Sequence, residues 1–213
     1  MPDRAVVFID GNNWFHSLRH VGVEQRVRLD YKKISEKLLG PRQWVATKYY
    51  IGKISQQANP NLYAHQRSFL ARLEGTDPRI SVCFGRIERR TGTNEAATEL
   101  REYLGLLKTK IDPIVFTALN DIAKRHYETI VFVEKAVDVF LAVDLVTLAI
   151  NDVYDAAYLL TADGDYTPAV KQVRDLGKKV YAASPLSGAQ LARVVNSFIH
   201  LAAGWFDDCY NND

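Results

Sequence analysis

The chain is poor in the residues that build soft-metal centres. Its 213 residues include only five histidines and two cysteines. Cys83 and Cys209 lie far apart, and no histidine neighbours either at metal-ligand spacing. A zinc cluster is therefore not expected, and the thiols read as reduced side chains of a cytosolic protein. No apolar run approaches bilayer-spanning length, and the first strand begins almost at Met1, with no room for a leader peptide. The expectation is a soluble, cytoplasmic protein with no membrane partner. Long single-sign charge blocks are also missing, and the formal net charge of +2 neither demands nor excludes a nucleic-acid partner. No Pro/Gly/Ser-rich linker, internal repeat or low-complexity tract divides the chain. Residues 1–204 thus read as one domain with a less regular elaboration at about 86–134, and 205–213 as a polar tail prone to fray.

What is present is a series of short, unbroken apolar runs ending in glycine or an acidic residue, the habit of strands buried on both faces of a parallel sheet. Five stand out: AVVFI from Ala5, TKYYI from Thr47, ISVCF from Ile80, AAYLL from Ala156 and KVYAA from Lys179. A further short strand at TIVFV is an open alternative. Helical spacing appears in Trp14, Phe15 and Leu18, over Tyr31 to Leu39, Leu62 to Leu73, Glu95 to Leu107, after Pro113, and from Val137 to Ile150. It appears again around Val170 and Val173, and in a final amphipathic helix holding Leu191, Val194, Val195 and Phe198. Helices between strands predict an α/β fold, doubly wound, with a mainly parallel sheet of about five strands.

In such a sheet the first strand lies beside the AAYLL strand, and the connection order reverses between them. That opens a crevice at their carboxyl ends. Asp10 ends the first strand there, and Asp163 and Asp165 follow AAYLL across Thr161-Ala162. The helix from Val137 starts at the same edge and carries Asp138. Four carboxylates at one place repel unless a cation compensates them, and an oxygen-only donor set suits Mg²⁺ or Mn²⁺. The plainer reading of each aspartate is a helix cap or turn former. Both readings stay open on residues alone.

Gly11, Asn12 and Asn13 suit a tight strand-to-helix corner, although an asparagine amide there could also orient a metal-bound water or a phosphate. Lys135 is by default a solvated lysine, but it stands close enough in sequence to Asp138 to reach a scissile phosphate. Asp144 falls on a different helical face from Asp138 and ranks no nearer than a supporting position. Arg86, Arg89 and Arg90, after the third strand, are the best candidates to hold a polyanion, and His16, Arg19 and His20 weaker ones. Tyr49 and Tyr50 could stack bases but read first as core.

FIDGNN at Phe8 to Asn13, KAVDVFLAVDL at Lys135 to Leu145 and LLTADGDYTPAV at Leu159 to Val170 together resemble the signature blocks of NYN-domain proteins of the LabA/DUF88 type, within the PIN-like nuclease superfamily. The resemblance implies a PIN-like three-layer α/β/α sandwich and a Mg²⁺- or Mn²⁺-dependent ribonuclease site. It makes Asp10, Asp138, Asp163 and Asp165 the acidic set, and single-stranded or structured RNA the partner. Asn13 matches the family's asparagine after the first aspartate. The chain departs at Thr161-Ala162, where Ser-Gly is usual, at Tyr166, where Phe is usual, and at Ala136, where glycine is common. Thr161 keeps the hydroxyl and stays in the substrate-binding set. A catalytically silent RNA-binding module is the alternative, and assembly into a homodimer is left open. A phosphatase or nucleotide-binding reading is weakened by the missing second aspartate after Asp10 and the lack of a Gly-rich phosphate loop.

Overall fold

The structure, a computed structural model, describes residues 2–210, and only the backbone of residues 128–131. Its elements run β1 (Arg4–Asp10), α1 (Gly11–His20), α2 (Tyr31–Leu39), β2 (Gln43–Lys53), α3 (Pro60–Thr76), β3 (Ile80–Thr93), α4 (Glu95–Leu107), α5 (Pro113–Tyr127) and β4 (Glu128–Lys135). The chain continues through α6 (Val137–Ile150), β5 (Ala156–Leu160), α7 (Thr167–Asp175), β6 (Lys179–Ser184), α8 (Ala189–Ala192) and β7 (Ser197–His200). The strands order as β4-β3-β2-β1-β5-β6-β7. Every pairing from β3 through β7 is parallel.

The chain divides into two compact units. One comprises Met1–Arg86 with Lys135–Asp213, the other Ile87–Glu134. In the first, β1 is central, and its alternation feeds two cores. Ala5, Val7 and Ile9 pack with Trp14, Leu18, Ile34 and Leu70, while Val6 and Phe8 pack with Leu141, Leu145, Val170 and Val173. Helices α1 to α3 therefore cover one face and α6 and α7 the other, a three-layer arrangement. A strand buried on both faces must be apolar throughout, which is why AVVFI carries no polar residue. The second unit holds the far end of β3, most of β4 and the helices α4 and α5. Asn94 caps α4, and Asp112 accepts the first free N–H groups of α5. Among the described residues no helix is long and apolar enough to cross a membrane.

The sheet has seven strands, not about five. β4 contains the TIVFV segment. β7 replaces the second half of the expected last helix, which is helical only over Ala189–Ala192. The reason is Asn196. Its N–H bonds the Val180 carbonyl at 2.7 Å, and its side-chain oxygen accepts the Val180 N–H at 2.8 Å, so the chain is drawn onto the sheet edge before another helical turn can form. β3 also runs on to Thr93, so Arg86, Arg89 and Arg90 lie within a strand and not in a loop after one. The segment after Trp205 packs against the first unit. Phe206 is buried edge-on against Trp14, and the Cys209 carbonyl accepts the Asp30 N–H at 2.8 Å. Residues 211–213 lie outside the described residues.

A candidate acidic site at the β1/β5 edge

β1 pairs with β2 on one side and β5 on the other, both parallel, so the chain reverses its winding direction at β1. Loops leaving β1 and β5 part to opposite faces there and open a crevice at the carboxyl edge. Asp10 is the last residue of β1, in phase with Val6 and Phe8, and it lies on the α6 side. Only 3% of it is exposed. The corner after it is tight because Gly11 passes close to β2. A Cβ at Gly11 would stand 2.6 Å from the Tyr49 ring and 2.7 Å from the Tyr50 carbonyl, so no side chain fits.

Each oxygen of Asp10 is engaged. Oδ1 accepts the Asn13 N–H at 3.1 Å, the N-cap bond of α1. Oδ2 accepts the Tyr166 hydroxyl at 3.1 Å and the Thr161 hydroxyl at 3.4 Å. The Tyr166 hydroxyl also stands 3.2 Å from Asp138 Oδ1, so a single phenolic proton is shared between two carboxylates. Burial holds the Asp10 carboxyl above the usual carboxylate range, and the charges of Asp138 and Asp163 push it the same way, against the Asn13 and Tyr166 hydrogen bonds. Burial and the two carboxylates together raise the Tyr166 phenol, which stays protonated.

The turn after β5 is built as a chain of hydrogen bonds ending on Asp10. The Asp165 N–H donates to Asp163 Oδ1 at 3.0 Å, the Asp163 N–H to Thr161 Oγ1 at 3.1 Å, and the Thr161 hydroxyl to Asp10. Asn13 ties this turn to the β1 corner, its side-chain oxygen accepting the Ala162 N–H at 3.1 Å. From the other side α8 presses against it at Gly188, where a Cβ would meet the Ala162 carbonyl at 2.9 Å.

The structure thus brings Asp10, Asp138 and Asp163 together, with Thr161, Asn13 and Tyr166 as the bonded frame. The cap reading is realised as well, since Asp10 caps α1 and Asp163 caps the short 3-10 turn at Gly164–Tyr166. Asp165 is exposed and faces a separate cavity, while Asn12 is exposed on α1. Asp144 turns away from the acidic edge. It accepts the Tyr50 hydroxyl at 2.7 Å and pairs with Lys48 at 2.7 Å. Tyr49 and Tyr50 are core residues. Lys135 ends β4 within the first unit, and Arg86 pairs in register with Lys53. Arg89 and Arg90 belong to the second unit. Sequence reasoning missed the Tyr166 hydroxyl, because a tyrosine in place of phenylalanine reads as a conserved ring shape and not as a donor.

The donor chemistry fits a hard cation, because the convergent groups are carboxylates and the central one is buried beside two like charges. Among the described residues no three acidic, histidine or cysteine side chains form a ready cage. That is compatible with Mg²⁺, which commonly takes one or two carboxylates and keeps its waters.

Comparison with known families places the chain in the PIN-like nuclease superfamily, and the seven-stranded, mostly parallel α/β sheet is consistent with that. Within it, this chain belongs to the NYN domain family, whose model matches residues 4–202. Proteins of that family are generally nuclease-like and usually use divalent metals. No curated protein matches the sequence. A crystal structure of a protein of unknown function, VPA0982, from Vibrio parahaemolyticus is similar in fold. Its TM-score is 0.59 at 19% identity, and the match covers 98% of this chain and 96% of that one.

Proposed function

We propose that the protein is a divalent-metal-dependent ribonuclease, and that Asp10, Asp138 and Asp163 hold Mg²⁺ or Mn²⁺, while Asp165, expected with them, faces the neighbouring cavity. The observation that carries this reading is the buried Asp10 carboxylate facing Asp138 across one hydroxyl, with Asp163 close enough to raise its pKa. When bound, such an ion lowers the pKa of a water and offsets the charge that develops on a leaving oxygen. The chain's own residues do the rest. Thr161 and Asn13 fix the acidic turn against β1, so the carboxylates keep their spacing. Tyr166 holds Asp10 and Asp138 toward each other. Lys135, three residues before Asp138, supplies positive charge for the phosphate being cut, and Arg86 is a second candidate for that task.

A silent RNA-binding module is the second reading, favoured by the absence of a three-donor cage among the described residues. Cleavage of labelled RNA in Mn²⁺ or Mg²⁺ separates the two. Wild type is expected to cut and Asp10→Asn to lose the activity. RNA bound but left intact by wild type across metals would establish the module, and equal cutting by both proteins would trace the activity to a contaminant.

A further inference from the structure

Beside the acidic turn lies a cavity of about 560 Å³ lined by Gly164, Asp165, Thr167, Lys171, Gln190 and Arg193. Its volume is that of a small-ligand site, within the range of roughly 300–1,000 Å³ typical of such pockets. Two cations face it from different elements, Lys171 from α7 and Arg193 from just after α8. Both are exposed, and neither makes an ion pair or side-chain hydrogen bond among the described residues.

Many other cations of this unit are committed within the protein. Arg4 pairs with Asp152 and Asp155, Lys48 with Asp144, Arg79 with Asp77, Lys179 with Asp3 and Lys37 with Asp208. Even Arg174, near the same cavity, is committed to the Val194 carbonyl at 2.7 Å. Lys171 and Arg193 remain available to an outside anion. The Thr167 hydroxyl on the same wall is buried with no hydrogen-bond partner, a condition that calls for a ligand or water. The Gln190 side chain lies against Gly164 and so places an amide over the acidic turn.

One wall of the cavity is Asp165, two residues from Asp163. A negative wall disfavours an isolated anion. It suits a phosphate that is part of a chain also engaged at the acidic site, where a cation offsets the carboxylates.

We infer that this cavity receives the nucleotide next to the scissile phosphodiester, its phosphate held between Lys171 and Arg193 and its base or sugar met by Gln190. The inference rests on the ribonuclease reading and assigns that activity a second contact point. It concerns internal phosphodiesters and not a terminal 5′-phosphate.

The test is fluorescence anisotropy of labelled single-stranded RNA over a range of salt, in Ca²⁺ as the cation at the carboxylates, with the RNA verified intact on a gel. The double variant Lys171→Ala/Arg193→Ala is expected to bind about tenfold more weakly than wild type. The slope of log affinity against log salt should become shallower by about 0.7 for the lost phosphate contact. Its melting temperature should equal that of wild type, since both side chains are exposed and unpaired. RNAs with 5′-hydroxyl and 5′-phosphate ends should be affected alike. Unchanged RNA affinity in a variant whose parent binds and cuts RNA overturns the cavity assignment and leaves the ribonuclease reading standing. A loss confined to 5′-phosphorylated RNA overturns the internal placement. Wild-type protein that neither binds nor cuts RNA defeats both.

Discussion

Replacing Tyr166 by phenylalanine removes one oxygen and leaves the buried ring in place. That oxygen stands 3.1 Å from Asp10 Oδ2 and 3.2 Å from Asp138 Oδ1, but it carries one proton and donates to one carboxylate at a time. Net hydrogen bonds to charged groups contribute about 1.5–3 kcal/mol, so the metal-free protein should lose about 2 kcal/mol and not twice that. For a chain of this size the loss corresponds to roughly 4–8 °C in melting temperature. The assay is thermal unfolding in EDTA and again in saturating Mg²⁺. Mg²⁺ is expected to raise the variant's melting temperature more than that of wild type, because the cation replaces the positive end of the lost O–H dipole between the same two carboxylates. A variant that melts with wild type in EDTA would refute the shared-proton argument. A variant that gains no more from Mg²⁺ than wild type would refute the link to the cation.

Three further outcomes follow from the geometry. Asp10→Asn keeps a cap for α1, because asparagine caps as well as aspartate, and it removes a buried charge. The native carboxyl is raised above its unfolded value, so the stability linked to its proton is present at low pH and lost as pH rises. Metal-free Asp10→Asn should therefore gain on wild type as pH rises from about 4, the value of an unfolded aspartate, and melts showing the opposite trend would sink this account. Asp155 is the reverse case. Arg4 holds its carboxyl well below the usual range, so the stability it contributes is full at neutral pH and is lost as acid protonates the folded state. The stability gap between wild type and Arg4→Met should be present at pH 7 and shrink toward pH 2 in denaturant titrations. Finally, Ala136 sits in the left-handed region at φ 68° immediately before α6. That conformation costs a non-glycine residue about 1–2 kcal/mol, and glycine's extra chain entropy offsets about 0.5–1 kcal/mol of the relief. Ala136→Gly should therefore stabilise by about 0.5–1 kcal/mol, and a lower denaturant midpoint would count against it.

Ala136 also shows how the sequence can be read and misread. Its φ gives a physical reason for the glycine common at this place in related proteins, which the residue pattern alone could only register as a departure. The bounds of α2, α4 and α6 were legible because their apolar spacing is helical and their flanks carry stop or cap residues. β1 and β5 were legible because a doubly buried strand admits no polar residue. β7 was not, since Leu191, Val194, Val195 and Phe198 keep helical spacing while a single asparagine hydrogen-bonds the chain to β6. The meeting of Asp10, Asp138 and Asp163 was recoverable from strand order. The positions of Lys171 and Arg193 were not, because nothing in a charged helix face tells which cations lack partners until the fold has paired the others.

The two-sided packing of β1 has a consequence for how the acidic edge can change over generations. Odd positions from Ala5 to Ile9 face α1 to α3 and even positions face α6, and Asp10 continues the even series. One residue gained or lost inside this strand would turn every later side chain over and carry Asp10 to the layer that lacks Asp138 and Tyr166. Insertions can accumulate in the loops around the sheet, and a whole compact unit, Ile87–Glu134, interrupts the sequence of the first. The parity of these few residues cannot drift, because it is the phase in which the position of the central carboxylate is written.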